Sequence, residues 1–364
     1  MRRIRVGVVF GGQSAEHDVS LQSARFVLSS LDPELYDVVP IGITREGRFL
    51  VGGDPLRALA EAGGGKGAGE ASQALQARRG GMELTAAASE MQRLDVVFPV
   101  LHGPQGEDGT LQGLLELASL PYVGAGVLGS AVSMDKAVMK MVFAQAGLPV
   151  APHRLVLRHE LADPRAVEER LRDLAYPLFV KPCNLGSSVG ISRVDGPDAL
   201  FDALRAAAHY DRRLLVEQGV RGRELECGVL GNDRPEASVV GEVLPSGVFY
   251  DFTAKYDGSS ALAIPADLPQ EVARTVREFA VRAFLAVDAA GMARVDFFYA
   301  QGEDRVYLNE INTIPGFTAF SMFPLLWQAS GVSPQELCQR LVDLALQRHA
   351  ERNPRGEGES GTQE

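Results

Sequence analysis

The sequence predicts an α/β domain followed by α+β structure, shared among two or three domains. Three observations carry that prediction. At 364 residues the chain exceeds what one typical hydrophobic core supports. Its first third alternates short apolar runs with amphipathic stretches across glycine-rich breaks, the pattern of βα units. Near the C-terminal end, Arg294-Val-Asp-Phe-Phe and Tyr307-Leu-Asn-Glu-Ile-Asn312 alternate apolar and polar residues around Gln301-Gly-Glu-Asp-Arg305, which reads as an antiparallel hairpin.

Residues 4–10 are an apolar run suited to a strand buried on both faces. Gly11-Gly-Gln-Ser14 then leads into a helical pattern through residue 31, with Ser14 as its expected N-cap. Residues 38–43 and 95–101 read as further strands, the second followed by His102-Gly-Pro-Gln-Gly-Glu-Asp-Gly109 and a helix over 110–120. These elements make a small α/β domain. Within it, residues 63–81 are Gly-rich and weakly periodic, as a surface excursion is. A helix over 133–146 ends at Gly147 and Pro149, and a new domain begins nearby. Leu214-Leu-Val-Glu-Gln-Gly-Val220 reads as a strand entering a connector. From residue 351 the composition is that of a disordered tail.

Composition narrows the class. Hydrophobic residues make up 46%, and mean hydropathy is −0.01, as in ordinary globular proteins. A formal charge of −11 argues against a nucleic-acid partner, which needs clustered Lys and Arg. The start, Met1-Arg-Arg-Ile-Arg-Val-Gly-Val-Val-Phe, is too short an apolar run for a signal peptide and is stopped by Gly11-Gly12. No stretch approaches the roughly 18 to 20 apolar residues that span a bilayer. A cytoplasmic protein with no membrane partner is expected. Cys183, Cys227 and Cys338 are widely spaced and form no CxxC pair, so neither a disulfide framework nor a zinc site is expected.

Period two fixes the faces of the C-terminal hairpin. Arg294 and Asp296 share one side of the first strand, and Glu310 and Asn312 share one side of the second. In an antiparallel pair opposing positions sum to a constant, so a register setting Asp296 opposite Glu310 also sets Arg294 opposite Asn312. Two carboxylates about 5 Å apart between apolar strands are unfavourable unless a cation lies between them. With the Asn carbonyl they form an oxygen-only set of the kind that binds Mg²⁺ together with substrate phosphates. A polar, solvent-exposed face is the plainer reading of any one of these residues; the four together, followed by Pro315-Gly316, favour the metal.

Lys181 ends a strand, Pro-Cys-Asn-Leu-Gly186-Ser-Ser188 forms a loop, and Val189-Gly-Ile-Ser resumes strand character. Such a loop lets backbone N–H groups and hydroxyls approach phosphate oxygens, with Lys181 supplying a compact charge. It is not a Walker A loop, whose lysine follows the glycines and enters a helix. Taken alone, it is also a plain hairpin turn with a lysine at its base. Glu217 and Glu224 could meet a purine amine and a ribose, although isolated glutamates carry little information.

Five segments in order resemble the D-alanine–D-alanine ligases of the ATP-grasp superfamily over nearly the whole chain. They are Gly11-Gly-Gln-Ser-Ala-Glu16-His-Asp-Val-Ser, His102-Gly-Pro-Gln-Gly-Glu-Asp-Gly-Thr, Ser133-Met-Asp-Lys136, the Lys181 to Gly190 loop, and Arg294 to Met322 with Asn309-Glu-Ile-Asn-Thr-Ile-Pro-Gly-Phe. The resemblance implies a three-domain ATP-grasp fold with a preATP-grasp N-terminal α/β domain over 1–130. A central subdomain with the phosphate loop would follow over 131–216, then a C-terminal subdomain with the metal site over 217–350 and the tail over 351–364. It implies that ATP activates one D-alanine carboxylate as an acylphosphate, which the amine of a second D-alanine attacks, for peptidoglycan precursor synthesis. A homodimer is the family's usual state.

The residue roles follow from the same resemblance. Asp296, Glu310 and Asn312 would hold two Mg²⁺ or Mn²⁺ ions, while Lys136 and Lys181 grip the phosphates. Glu217 matches the adenine-contacting carboxylate, Val220 the adjoining backbone contact and Glu224 the ribose contact. Arg294 and the Gly316 N–H would face the oxyanion of the tetrahedral intermediate. Glu16 would pair with the first D-alanine ammonium, although by itself it suits a helix dipole. Ser187 and Tyr256 match residues linked to Glu16 across the closed site, and Lys255-Tyr256 lies in a segment resembling a covering loop. Ser321 and the Met322 backbone match the group binding the second D-alanine carboxylate. His102 is either support near the phosphates or a plain turn histidine. One departure stands out: Glu217-Gln-Gly219 lacks the bulky residue that often packs on the purine. The alternatives are a D-alanine–D-lactate ligase, disfavoured by Lys255-Tyr256, a bicarbonate-using carboxylase of the superfamily, and a non-catalytic ATP-binding protein.

Overall fold

The structure is a computed structural model, and it describes residues 2–63, 90–186, 189–244 and 261–352. The first sheet has the order β3-β2-β1-β4, built from β1 (Ile4–Gly11), β2 (Tyr36–Ile43), β3 (Phe49–Val51) and β4 (Val96–Pro99). β1 runs parallel to β2 and β4, and β3 is antiparallel to β2. Val6, Val8, Val9 and Phe10 are all fully buried, as a strand covered on both faces requires. Helices α1 (His17–Ser30), α2 (Pro55–Gly63) and α3 (Thr110–Leu117) belong to this region. Ser14 does not cap α1. Its hydroxyl accepts the Glu16 N–H at 3.0 Å inside the preceding loop, and Glu16 itself holds the N-cap position without a side-chain cap.

The helix expected over 133–146 is two helices, α4 (Val127–Met134) and α5 (Lys136–Gln145). Asp135 breaks them because its backbone is extended and its Oδ1 accepts the N–H groups of Ala137 and Val138, each at 3.0 Å. Its other oxygen lies 2.9 Å from Arg213 Nε. Asp135→Ala is expected to cost about 2 kcal/mol in urea unfolding, the scale of a lost N-cap plus a partly buried ion pair. Asp135→Asn should retain the cap and lose less.

The second sheet is antiparallel, in the order β5-β8-β6-β7, from β5 (His153–Leu157), β6 (Leu178–Pro182), β7 (Ser192–Val194) and β8 (Arg213–Gln218), with α6 (Pro164–Leu171) and α7 (Leu200–Ala208). Gln218 still pairs with Leu178, so β8 runs two residues past the boundary expected at 216. The third sheet has the order β11-β10-β9-β12-β13, from β9 (Arg223–Gly231), β10 (Glu236–Val243), β11 (Leu262–Ala263), β12 (Gly291–Ala300) and β13 (Arg305–Asn312). Helices α8 (Gln270–Ala286), α9 (Met322–Ala329) and α10 (Pro334–Arg352) complete the described chain. α10 extends through Arg352, two residues into the expected tail. The rest of that tail, like residues 64–81 of the Gly-rich excursion, lies outside the described residues.

Sequence order and packing order differ at three places. Met139 and Phe143 of α5 share a core with Val295, Phe297 and Leu308 of the third sheet. Leu337, Leu341 and Ala345 of α10 pack with Val6, Val8 and Ala24 of the first. The third exchange is Phe317, in the connection after β13, whose ring lies 6.0 Å from that of Phe98 on β4 and 5.8 Å from that of Phe323 on α9. Burying such a ring contributes about 2 to 3 kcal/mol, and it clamps the loop carrying Gly316 to the N-terminal region.

Candidate active site

β12 and β13 pair with Arg294 opposite Asn312 and Asp296 opposite Glu310, the register that alternation predicts. On its other side β12 pairs with β9, which sets Glu226 opposite Asp296. Three adjacent strands therefore carry Glu226, Asp296 and Glu310 in one row. Arg294 relieves the repulsion this row would create. Its Nε and Nη2 donate to the two Asp296 oxygens at 2.7 Å each, and Nε lies 2.9 Å from Glu226 Oε2. The Asn312 amide N–H donates to Asp296 Oδ2 at 3.1 Å, which leaves the Asn312 carbonyl oxygen for another partner. Glu226 escaped the sequence reading. The signal was present, since Glu224 and Glu226 share one face of a strand by period two, but which strand lies beside β12 is not written locally.

The set fits a hard divalent cation in its donor chemistry. Two carboxylates and one amide oxygen stand together on β12 and β13, with Glu310 and Asn312 lining a cleft, and the set holds no nitrogen or sulfur ligand. Among the described residues no group of three or more His, Cys, Asp or Glu is placed to hold a metal ion unaided. Such a half-set suits an ion completed by phosphate oxygens.

The cleft, roughly 300 Å³, lies between the second and third sheets and is lined by Lys136, Lys181, Glu217, Val220, Glu224, Glu310 and Asn312, all singled out from the sequence. Phe179, Ile191, Phe298 and Ile311 also line it. They supply the apolar walls for a planar base that Glu217-Gln-Gly219 does not provide. Lys136 Nζ donates to the Leu185 carbonyl at 2.5 Å, reaching the loop after β6. Glu217 is 3% exposed and sits between two ammonium groups, 2.6 Å from Lys181 Nζ and 2.5 Å from Lys140 Nζ. Burial alone would push its carboxyl up, but Lys140 and Lys181 outweigh burial and hold it down at about 2. Lys181 is shifted the other way: burial opposes its charge, and Glu217 more than restores it.

Glu16 approaches from the first sheet. A Cβ on Gly103 would stand 2.5 Å from Ser14 Oγ and 3.1 Å from Glu16 Oε2, and a Cβ on Gly186 would stand 3.2 Å from the same Glu16 oxygen. The carboxylate thus faces the loop after β4 on one side and the loop after β6 on the other. Gly103 has φ +78°, a conformation that also favours glycine. His102 corrects the turn reading. It is 4% exposed, its Nε2 lies 3.1 Å from Ser23 Oγ, and its Nδ1 lies 3.2 Å from the Ile314 carbonyl. It therefore joins α1 to the connection that carries Gly316. In the same connection the Ser321 hydroxyl accepts the Thr318 N–H at 3.0 Å and pairs with Thr318 Oγ1 at 2.8 Å, just before Met322 opens α9. Ser187, Lys255 and Tyr256 lie outside the described residues.

Glu107 also lines the cleft, and the sequence reading gave it no role. Its Oε1 accepts the Gly103 N–H at 2.8 Å. Burial pushes its carboxyl up to about 8, and the charge of Glu16 adds to this. The folded protein therefore holds a proton between pH 4.5 and about 8 that the unfolded chain has released. The stability that comes with this proton is fully present below 4.5 and is lost as pH rises through 8. Glu107→Gln remains neutral throughout. Its melting temperature is expected to draw level with wild type near pH 5 and to exceed it increasingly toward pH 8 in thermal melts; the opposite slope would mean that Glu107 is ionised.

The family models agree with this arrangement: a D-ala D-ala ligase N-terminus matches residues 5–125, and a D-ala D-ala ligase C-terminus matches residues 142–343. The chain belongs to the D-alanine–D-alanine ligase family. A D-alanine–D-alanine ligase of Thermoanaerobacter sp. (strain X514) is 47% identical over 97% of this chain and 99% of its own. One from Geobacillus thermodenitrificans (strain NG80-2) is 49% identical over 96% of this chain and 97% of its own. Among solved structures, the D-alanine–D-alanine ligase from Coxiella burnetii superposes with a TM-score of 0.81 at 36% identity, covering 97% of each chain. The VanG D-Ala:D-Ser ligase from Enterococcus faecalis gives 0.78 at 34%, covering 94% of this chain and all of its own. The chain has the multi-domain ATP-grasp architecture of this family and is an ATP-dependent ligase that joins D-alanine to D-alanine for peptidoglycan synthesis.

Proposed function

We propose that this ligation takes place in the cleft between the second and third sheets, with the residue roles that follow. The observation that carries the reading is the convergence on one cleft of the Glu310-Asn312 strand, Lys136 and Lys181, with Glu16 facing Gly186 at its edge. A carboxylate oxygen of the first D-alanine attacks the γ-phosphorus of ATP, the bond to ADP breaks, and D-alanyl phosphate forms. The amine nitrogen of the second D-alanine, having lost a proton, attacks the acyl carbon, and phosphate leaves. Lys136 and Lys181 hold the phosphates, and Glu217, Val220 and Glu224 hold the nucleoside. Glu16 pairs with the first ammonium, and Ser321 with the Met322 backbone receives the second carboxylate. Arg294 and the Gly316 N–H stabilise the oxyanion. Asp296, Glu310 and Asn312 would hold two Mg²⁺ or Mn²⁺, which would supply positive charge to neutralise the phosphates. Ser187, Lys255 and Tyr256 are assigned the role of keeping water from the acylphosphate.

The same proposal places the protein in the cytoplasm as a homodimer. Among the described residues no helix is long and apolar enough to cross a membrane. Leu117 on α3 and Leu128 on α4 stand 89% and 60% exposed and offer apolar surface to a second copy. Light scattering at several concentrations measures that assembly directly.

The deciding assay is phosphate release with Mg²⁺-ATP, comparing D-alanine, L-alanine, D-alanine plus D-lactate, bicarbonate and no acceptor, with products identified by mass. Release that depends on D-alanine and yields D-alanyl-D-alanine is the expected result. A depsipeptide or a carboxylated product would redirect the reading within the superfamily. ATP binding with no turnover would overturn it.

A further inference from the structure

Lys140 has no part in the scheme above, yet among the described residues it is the one buried lysine, with a side chain 2% exposed. It lies one helical turn beyond Lys136 on α5, so both ammonium groups leave the same face of the helix. Lys136 reaches the rim of the cleft at Leu185. Lys140 points inward, among the buried Ala137, Met139 and Phe143. An ammonium removed from water is strongly unfavourable unless its partners are close and well placed. Here there are two partners: Glu217 Oε1 at 2.5 Å and the Asn309 carbonyl at 3.1 Å.

Those partners stand on different sheets. Glu217 is on β8, and Asn309 is on β13 beside Glu310. The other Glu217 oxygen accepts from Lys181 at 2.6 Å. A carboxylate has about four acceptor positions, so with two engaged its plane is fixed while acceptor capacity remains for a third donor. Glu217 lines the cleft together with Phe179 and Phe298. A purine packed between such walls would present its exocyclic amine to that capacity.

We propose that Lys140 is a positioning residue for nucleotide selection: it locks the Glu217 carboxylate for the purine amine and ties it to the strand bearing Glu310. The proposal rests on the cleft being the ATP site. It makes a distinction that a merely structural lysine would not. Inosine triphosphate carries a carbonyl where ATP carries the amine, so a locked Glu217 would meet it acceptor to acceptor. An unlocked Glu217 can turn away.

The test compares ATP with inosine triphosphate in the wild type, in Lys140→Met and in the double variant Lys140→Met with Glu217→Gln. The wild type is expected to favour ATP in kcat/KM by about tenfold or more, the scale of one charge-assisted hydrogen bond. In Lys140→Met that preference should collapse toward one and KM for ATP should rise about tenfold, while kcat and KM for D-alanine stay within about threefold. The double variant leaves no unpaired buried carboxylate, so it should fold even where the single variant does not, and it should show the same collapse. A preference retained in either variant overturns the proposal. So does its absence in the wild type, or an equal loss with both nucleotides. Binding of the two nucleotides without D-alanine separates this from the ligase reading: wild-type binding selective for ATP that Lys140→Met abolishes, with no D-alanine-dependent turnover, sinks that reading and supports the role of Lys140, whereas selectivity kept in Lys140→Met overturns that role.

Discussion

Arg294→Ala is expected to lower kcat by roughly 10² to 10³, the cost of removing one oxyanion donor, while KM for ATP changes by less than about threefold. The asymmetry follows from the location of Arg294. It sits on β12 between Asp296 and Glu226, and among the residues lining the nucleotide cleft its strand contributes Phe298 rather than Arg294. On the proposed reading its charge serves the reacting carbonyl and not the base. The substitution also leaves Asp296 and Glu226 adjacent without their shared cation, so part of the loss is electrostatic disorder in the metal strand. Arg294→Lys should recover only a fraction of the rate, because an ammonium cannot reproduce the paired donation from Nε and Nη2 to Asp296. Steady-state kinetics with both substrates varied decides the matter. A rise in KM for ATP that accounts for the whole loss would make Arg294 a nucleotide ligand instead.

Glu310→Gln is expected to reduce turnover by roughly 10³ or more, since the charge neutralised by a phosphate-bridging metal is worth several kcal/mol in the transition state. The amide is nearly isosteric, so the strand pairing with Asp296 should survive. What disappears is one of two carboxylates in a set whose other member, Asp296, is already held by Arg294 and Asn312. Mn²⁺ binding in the presence of a nucleotide, followed by electron paramagnetic resonance, reads this apart from activity. Weakening by about tenfold or more is the expected result. Wild-type Mn²⁺ affinity would remove Glu310 from the metal set. Glu310→Gln should melt near the wild-type temperature, because its strand pairing is kept, whereas Arg294→Ala should melt lower, because Asp296 and Glu226 lose their shared cation.

Much of the site was legible because its signals are local. The Arg294-to-Asn312 hairpin has a short loop and strict alternation, so faces and register follow from the period of the strand. The Lys181 loop and the Lys136 segment are likewise contiguous motifs, and both lysines line the cleft. The helix expected over 133–146 is broken for an equally local reason: Asp135 offers the backbone a cap, which competes with continuing the helix.

By itself the sequence determined the βα order of the first region, the register of the β12–β13 hairpin and the two lysines, Lys136 and Lys181, brought to the cleft, because each depends on neighbours a few positions apart. Tertiary structure alone decided which distant strands and helices would meet. It set β9 beside β12 and so brought Glu226 to Arg294. It sent α10 back to the first sheet and pushed Phe317 into the core there. It also buried Lys140 against Glu217, where a lysine on a helix would ordinarily face water. Burial and long-range pairing come from the packing of whole faces, and no local period or spacing encodes which face will cover which.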